Sequence, residues 1–174
     1  MIKDPETGAD ELDYSSLFIA IDGNRQCEYP RAAWAVYYGK NSSNNSSGLV
    51  PDAMPQTVRF AEIQALKYAL ISIRNLLANE NAYANICIKT SSVYLARMME
   101  GDLRTCILNG WRNGDGTYLR DAESWEWINN MLCELECVHG RKTKFSIDII
   151  SMNQNKGASG LACRAIDAHK NNAI

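Results

Sequence analysis

The order of strand and helix patterns along the chain constrains its fold more than any other feature. Three short apolar strand patterns come first, at residues 17–21, 32–38 and 48–50, and a long helical pattern follows at residues 57–78. In that helix the apolar residues recur every three or four positions and form one stripe. Three consecutive strands followed by a helix predict a sheet that begins with neighbouring strands and has a helix packed on it.

The second half of the chain alternates between the two periodicities. Residues 85–90 and 144–151 have strand patterns, and residues 93–99, 124–137 and 158–170 have helical ones. Ser124 is the expected N-cap of its helix, because a serine hydroxyl can accept a hydrogen bond from an amide of the first turn. Together the patterns predict an α/β fold with a mixed five-stranded sheet and helices on both faces.

Composition and charge limit the class of protein. The chain has 174 residues, 46% of them hydrophobic, and a net charge of −2, which is typical of a globular domain. We expect a loose N-terminal lead at residues 1–14 and one domain at residues 15–174. No apolar run approaches the roughly 20 residues of a membrane-spanning helix, so no membrane partner is expected. A nucleic-acid partner would require a local basic patch.

Cysteine content and the N-terminus predict where the protein works. The first 14 residues are acidic and lack the apolar core of a signal peptide. Six cysteines are present, and without a secretory signal we interpret them as reduced thiols. The expected location is therefore intracellular, either nuclear or cytoplasmic.

Six short motifs in a fixed order carry a resemblance to a known family. They are Asp22-Gly23, residues 33–39 (Ala-Trp-Ala-Val-Tyr-Tyr-Gly), Thr57 with Ala61-Glu62, residues 90–95 (Thr-Ser-Ser-Val-Tyr-Leu), Asn109-Gly110-Trp111 followed by Asp121 and Trp125, and residues 155–162 (Asn-Lys-Gly-Ala-Ser-Gly-Leu-Ala). From about Leu17 onward the chain resembles a eukaryotic, fungal-like type 1 ribonuclease H domain. The resemblance implies the ribonuclease H-like fold, an α/β fold with the mixed five-stranded sheet predicted above.

The resemblance also implies where an active site would lie. The family's four carboxylates hold two Mg²⁺ ions, which position the attacking water and stabilise the leaving oxygen. In this chain Asp22 and Glu62 match the first two acids, whereas Ser91 and Ser159 stand at the third and fourth positions. The implied site is therefore degenerate at two of its four carboxylates.

The loss of two carboxylates weakens the case for a cofactor. Removing a unit charge about 4 Å from another costs on the order of 4 kcal/mol at an effective dielectric constant of about 20. Two divalent cations would face only Asp22, Glu62 and a bridging phosphate. We therefore expect no cofactor; the alternative is a single, weakly held Mg²⁺ at Asp22 and Glu62.

Further departures from the family support this prediction. Residues 151–155 form a shorter segment than the family's histidine-bearing loop and contain no histidine. At the start of the long helix, Val58, Arg59 and Phe60 replace polar and arginine residues that in the family help to cradle an RNA–DNA hybrid. Because several parts of the site differ, these changes argue against the interpretation that the two serines are engineered substitutions. Asp148 alternates with apolar neighbours, which is typical of the solvent face of an edge strand rather than of a replacement acid.

The predicted nucleic-acid contacts lie around the vestigial site and in one loop. They are Asn24, Arg59, Trp111, Arg112 and Arg120. The segment 112–120, together with Lys142 and Lys144, could form a basic strip carrying aromatic residues. The alternative interpretation is a solvated glycine-rich loop.

The sequence predicts a ribonuclease H-like pseudoenzyme whose nuclease centre is decayed and which binds an RNA–DNA hybrid or duplex, a protein, or both. One alternative is an active metal-dependent RNA–DNA hybrid endoribonuclease with an atypical site. The other is a purely protein-binding scaffold, because a fold does not dictate a function. An active enzyme would need a third acid near Asp22 and Glu62. A hybrid-binding protein would need a positively charged groove beside them, and a protein-binding scaffold would have an exposed apolar patch.

Overall fold

The structure, a computed structural model, describes residues 2–3, 10–11, 15–26, 28–79, 83–113, 115–140 and 142–172. Two short strands, β1 (Ile2–Lys3) and β2 (Asp10–Glu11), form an antiparallel pair. The other residues of the predicted 1–14 lead lie outside the described residues, as does Cys27.

The central sheet has five strands. They are β3 (Ser16–Arg25), β4 (Ala32–Tyr37), β5 (Ser46–Leu49), β6 (Asn85–Thr90) and β7 (Lys144–Ile149), in the spatial order β5-β4-β3-β6-β7. Strands β3 to β5 pair antiparallel, whereas β6 runs parallel to both β3 and β7. The predicted mixed five-stranded sheet is confirmed. Asp148 lies on the edge strand β7 and is exposed, as predicted.

The described residues include five α-helices, four of which correspond to predicted helical patterns. They are α1 (Val58–Ala78), α2 (Val93–Arg97), α3 (Leu103–Leu108), α4 (Ala122–His139) and α5 (Lys156–Asn172). The Thr57 hydroxyl accepts a hydrogen bond from the Phe60 amide at 3.1 Å and so caps α1. The Ser92 hydroxyl caps α2 in the same way, through the Leu95 amide.

Side-chain alternation along β4 places helices on both faces of the sheet. Trp34 and Val36 pack into the large core that contains α1, whereas Ala33 and Ala35 pack against α5. Successive residues of a strand point to opposite faces, so α1 and α5 lie on opposite sides. The small alanine side chains face α5. The predicted arrangement of helices on both faces is confirmed.

Two helix predictions differ from the structure. The helix predicted at residues 93–99 continues through a π-helical turn at Met98–Asp102 into α3. Gly101 lies in that turn and obscures the helical pattern, because glycine is a poor helix former. Ser124 does not cap α4: the helix begins at Ala122, and Ser124 is buried within its first turn.

Candidate functional site

The residues matched to the family acids line one cleft of about 470 Å³. Asp22 comes from β3, Glu62 from the second turn of α1, Ser91 from the segment directly after β6, and Ser159 from the first turn of α5. Strand β6 and helices α1 and α5 all contact β3. The two helices approach the sheet from opposite faces. The structure therefore brings the four sequence-predicted positions together.

Gly23 allows the two carboxylate-bearing elements to approach closely. A Cβ atom at this position would lie 2.7 Å from the Ala61 carbonyl carbon, at the start of α1. Such a separation is shorter than van der Waals contact, so a side chain would push α1 away from β3. The glycine after Asp22 thus sets the distance between Asp22 and Glu62.

Serine hydroxyls hold both carboxylates. The Ser159 hydroxyl donates a hydrogen bond to Asp22, and the Ser92 Oγ donates to Glu62 Oε2 at 2.7 Å. Ser91 is not hydrogen-bonded to either acid in the contacts described; its Oγ accepts from Asn155 Nδ2 at 3.2 Å. Each acid is therefore bound by a neutral donor.

Asn155 forms part of the floor of the cleft. Its Nδ2 also donates to the Ile21 carbonyl oxygen at 3.0 Å, which ties the start of α5 to β3. The residue is only 1% exposed, and its Oδ1 has no hydrogen-bond partner in the structure. Buried carbonyl oxygens are nearly always paired, so this acceptor is exceptional.

Burial dominates the electrostatics of the two acids. Desolvation raises the pKa of Asp22, and the hydrogen bond from Ser159 partly offsets this effect. Desolvation likewise raises the pKa of Glu62; Ser92 and Arg59 lower it, whereas the nearby Asp22 raises it further. The two carboxylates thus lie close enough to repel each other.

This donor set does not fit a pair of Mg²⁺ ions. Within the described ranges, no group of three or more histidine, cysteine, aspartate or glutamate side chains could hold a metal ion. Two carboxylates carry half the charge of four, and each already accepts a hydrogen bond from a serine.

The predicted nucleic-acid contacts fall into separate places. Asn24 lines the acidic cleft, where its Nδ2 donates to Cys163 Sγ at 3.0 Å. Trp111 and Arg120 line a second groove of about 610 Å³ between the start of α1, the 111–120 loop and the start of α4. Arg112 lies over the Tyr118 ring in that loop.

Arg59 is engaged by its neighbours. Its Nε lies 3.0 Å from Asp121 Oδ2, its NH2 donates to the Tyr94 hydroxyl at 2.8 Å, and its guanidinium lies over the Tyr94 ring. Asp121 is 4% exposed and Arg59 is 46% exposed. Arg59 therefore neutralises a buried acid, a role that its position in the sequence does not reveal.

The predicted basic strip is divided in the structure. Arg112 and Arg120 precede α4, whereas Lys142 and Lys144 follow it. A helix of 18 residues is about 27 Å long, so the two lysines lie at the opposite end of the helix. Of the two interpretations of this segment, a single basic strip that joins both arginines to both lysines is not formed. The second groove also carries Asp121, Glu123 and Glu126.

Sequence reasoning missed three residues at the cleft. Ser92 binds Glu62, Asn155 forms the floor, and Cys163 lines the wall one helical turn after Ser159. A signal existed for two of them. Ser92 directly precedes a helical pattern, as N-caps do, and Cys163 falls on the face that Ser159 defines, four residues earlier in the same helix.

Solved structures similar to this chain share its fold. A ribonuclease H1 from the halophilic archaeon Halobacterium salinarum NRC-1 matches with a TM-score of 0.54 and 18% identity, over 88% of this chain and 98% of that chain. LC11-RNase H1, isolated from compost by a metagenomic approach and solved with an RNA/DNA hybrid, matches with a TM-score of 0.56 and 16% identity, over 88% of this chain and 98% of that chain. A foamy viral protease-reverse transcriptase in complex with dsDNA matches with a TM-score of 0.60 and 19% identity, over 90% of this chain and 96% of that chain.

These similarities define the fold class. The chain has a ribonuclease H-like α/β fold, and its structural neighbours are ribonuclease H1 domains and a foamy viral reverse transcriptase. No family model and no curated protein sequence matches the chain. None of the helices in the described part combines the length and apolarity needed to cross a membrane.

Proposed function

We propose that this chain is a ribonuclease H-like pseudoenzyme: its nuclease centre is decayed, and the domain is retained to bind nucleic acid without cleaving it. The observation that carries this proposal is the cleft in which Ser91 and Ser159 replace two acids. There Ser159 donates to Asp22 and Ser92 donates to Glu62. Any metal would be a single, weakly held Mg²⁺ at the two acids.

The side chains in the cleft support the proposal that its metal-binding site is degenerate. Mg²⁺ is bound by carboxylates, water and substrate phosphate, with nearly octahedral geometry. A neutral hydroxyl that already donates to a carboxylate cannot supply the missing negative charge. The site can orient water or a cation through Asp22 and Glu62, but two ions would repel each other across too little compensating charge.

A nucleic-acid partner is supported by the neighbours and by the second groove. LC11-RNase H1 and the foamy viral enzyme were each solved with nucleic acid bound. In this chain Trp111 and Arg120 line the groove, and Tyr118 is 65% exposed beside Arg112. Exposed aromatic and guanidinium groups can stack on bases and neutralise phosphates. An RNA–DNA hybrid or a duplex is the proposed ligand.

An intracellular location, nuclear or cytoplasmic, belongs to the same proposal. The five cysteines in the described part of the chain are free thiols, and Cys133 and Cys137 are exposed on α4. Exposed pairs of thiols persist in reducing compartments.

A cleavage assay tests the proposal. Purified protein is incubated with an end-labelled RNA–DNA hybrid in Mg²⁺ and, separately, in Mn²⁺, beside the Asp22→Asn variant. We expect wild type and variant to give the same background, because half of the metal-holding charge is absent. Metal-dependent cleavage that disappears in Asp22→Asn would establish the alternative, an active endoribonuclease.

A further inference from the structure

Strand β7 (Lys144–Ile149) is an uncovered edge of the central sheet. In the described part of the chain it pairs with β6 alone, in a continuous parallel register. None of its six residues is buried, whereas most of β6 is. The opposite edge, β5, has only four residues, and α5 packs against it. An edge as long as β7, without a proline or a bulge, is a template for pairing with another strand.

The backbone groups of β7 point alternately towards β6 and away from it. The Lys144 amide donates to the Ala84 carbonyl at 2.8 Å, and the Ile150 amide donates to the Thr90 carbonyl at 2.8 Å. Even-numbered residues of β7 therefore bond to β6. The amide and carbonyl groups of residues 145, 147 and 149 point outward, where no strand of the described part pairs with them.

Two opposite charges on β7 have no ion-pair partner. Lys144 and Asp148 are exposed and share one face of the strand, but about 13 Å separates them along it. Neither forms an ion pair with another described residue. Lys89, the neighbour of Asp148 on β6, lies over the Phe18 ring. The Asp148 carboxylate instead accepts a hydrogen bond from the Cys87 thiol, a neutral donor, at 3.1 Å.

From these features we propose that β7 is a dimerisation edge, at which the β7 strands of two copies of this chain pair antiparallel about a twofold axis at Ser146. In this register Lys144 lies opposite Asp148 of the second copy, and the symmetry repeats the contact. On the other face Phe145 lies opposite Ile147 of the second copy. These outward-facing residues form hydrogen-bonded pairs, each of which exchanges two backbone bonds. The inference does not rest on nucleic-acid binding.

Charge favours a second copy over an unrelated strand. Opposite charges directly across an antiparallel pair stabilise it, and like charges destabilise it. A parallel arrangement in register would place Lys144 opposite its own copy. A strand without matching charges would leave both Lys144 and Asp148 unpaired. The antiparallel pair of identical strands satisfies both charges at once.

Apolar surface beside β7 also favours covering the edge. Phe145 and Ile147 pack against the large core on the helix side of the sheet. A cavity of about 130 Å³ lies there, and its lining includes these two side chains, Leu132 and Met99. All four are half-buried, so the cavity opens to solvent. The apolar side chains of a second β7 strand would cover this surface and remove it from water.

Sedimentation velocity of the full chain tests the proposal. One strand pair is small beside the roughly 1,200–2,000 Å² of a stable interface, so we expect dimers at about 10–500 µM protein. Lys144→Glu and Asp148→Lys should each weaken the dimer at least about tenfold, because each places like charges opposite one another. Arg104→Glu and Glu134→Lys make the same charge changes at exposed helix positions and should leave the dimer intact.

Charge rescue tests the register. An equimolar mixture of the Lys144→Glu and Asp148→Lys proteins restores opposite charges across the strand pair and should recover the dimer. The double variant Lys144→Glu/Asp148→Lys should also dimerise. Wild-type protein that stays monomeric at every concentration would overturn the proposal and leave the edge to a strand of another protein. A dimer that withstands both reversals, or reversals that the mixture does not rescue, would overturn it too.

A cross-link tests the position of the axis. Ser146→Cys is made in a Cys133→Ser/Cys137→Ser background, which removes the exposed thiols of α4. Residues on the axis would have Cα atoms about 4.5 Å apart, within the range of a disulfide. Diamide should therefore cross-link this variant, whereas Ile149→Cys in the same background, which does not face its own copy, should remain monomeric in denaturant. Equal cross-linking of both variants would refute the register.

Discussion

The Ser159 hydroxyl donates a hydrogen bond to the Asp22 carboxylate. A residue that matches a metal-binding acid by position is thus a donor to the acid beside it. A second serine, Ser92, donates to the Glu62 carboxylate at 2.7 Å, although it does not occupy the position of a family acid. Both carboxylates are therefore in contact with hydroxyl groups of the chain itself.

Restoring the two acids should restore metal affinity. Ser91→Asp/Ser159→Asp would add two carboxylates to the cleft that already contains Asp22 and Glu62. We expect Mg²⁺ to bind at least about tenfold more tightly, which corresponds to about 1.4 kcal/mol, as measured by isothermal calorimetry. The matched control is Ser91→Asn/Ser159→Asn, which adds similar volume without charge. No gain over that control would show that these serines do not face a common ion position.

The raised pKa values of Asp22 and Glu62 predict a pH effect on stability. The pKa values of both acids are higher in the folded than in the unfolded state, so the folded state binds more protons between these values. The contribution of the two acids to the free energy of unfolding therefore falls as pH rises from the unfolded-state pKa through the folded-state pKa. Asp22→Asn removes one of these groups. We expect the variant to gain stability over wild type at pH 7, and the gain to shrink at pH 4, in urea unfolding. A gain that is the same at both pH values would contradict the burial of an unpaired charge.

The contact between Gly23 and α1 can be tested by adding one methyl group. In Gly23→Ala the new Cβ would meet the Ala61 carbonyl carbon at 2.7 Å. Such overpacking typically destabilises by about 1–3 kcal/mol, measurable by thermal or urea unfolding. Gly101→Ala is the control, because a Cβ there would meet no described atom within 4 Å apart from those of its chain neighbours and its own helix backbone. Equal losses in both variants would mean that β3 and α1 do not touch at Gly23.

The ion pair between Arg59 and Asp121 should contribute to stability. Arg59→Ala leaves Asp121 buried without its partner, and an unsatisfied buried charged group costs about 1–3 kcal/mol or more. Arg59→Ala/Asp121→Ala removes both charges and should recover part of the loss. The double-mutant cycle measures the coupling; strictly additive losses would show that the pair contributes nothing beyond its separate contacts.

Local patterns predicted the elements well but not the long-range pairings. The strand at residues 85–90 matches β6, and the long helix differs from α1 by one residue at its start, because both patterns are strongly periodic. The four cleft positions could be found because the resemblance linked them. The pairing of Arg59 with Asp121 could not, since 61 residues separate them and no periodicity relates their positions.

Nucleic-acid binding, if it uses the second groove, should depend on salt and on two arginines. Each phosphate neutralised by a basic side chain releases counterions, so affinity falls steeply as salt rises. Arg112→Glu and Arg120→Glu should each weaken binding to a fluorescent RNA–DNA hybrid across sequences and reduce the salt slope by about one. Arg74→Glu, an exposed position on α1, serves as the charge-matched control. Fluorescence anisotropy at low salt that detects no binding to hybrid, duplex or single strand would exclude nucleic acid and favour the protein-binding scaffold.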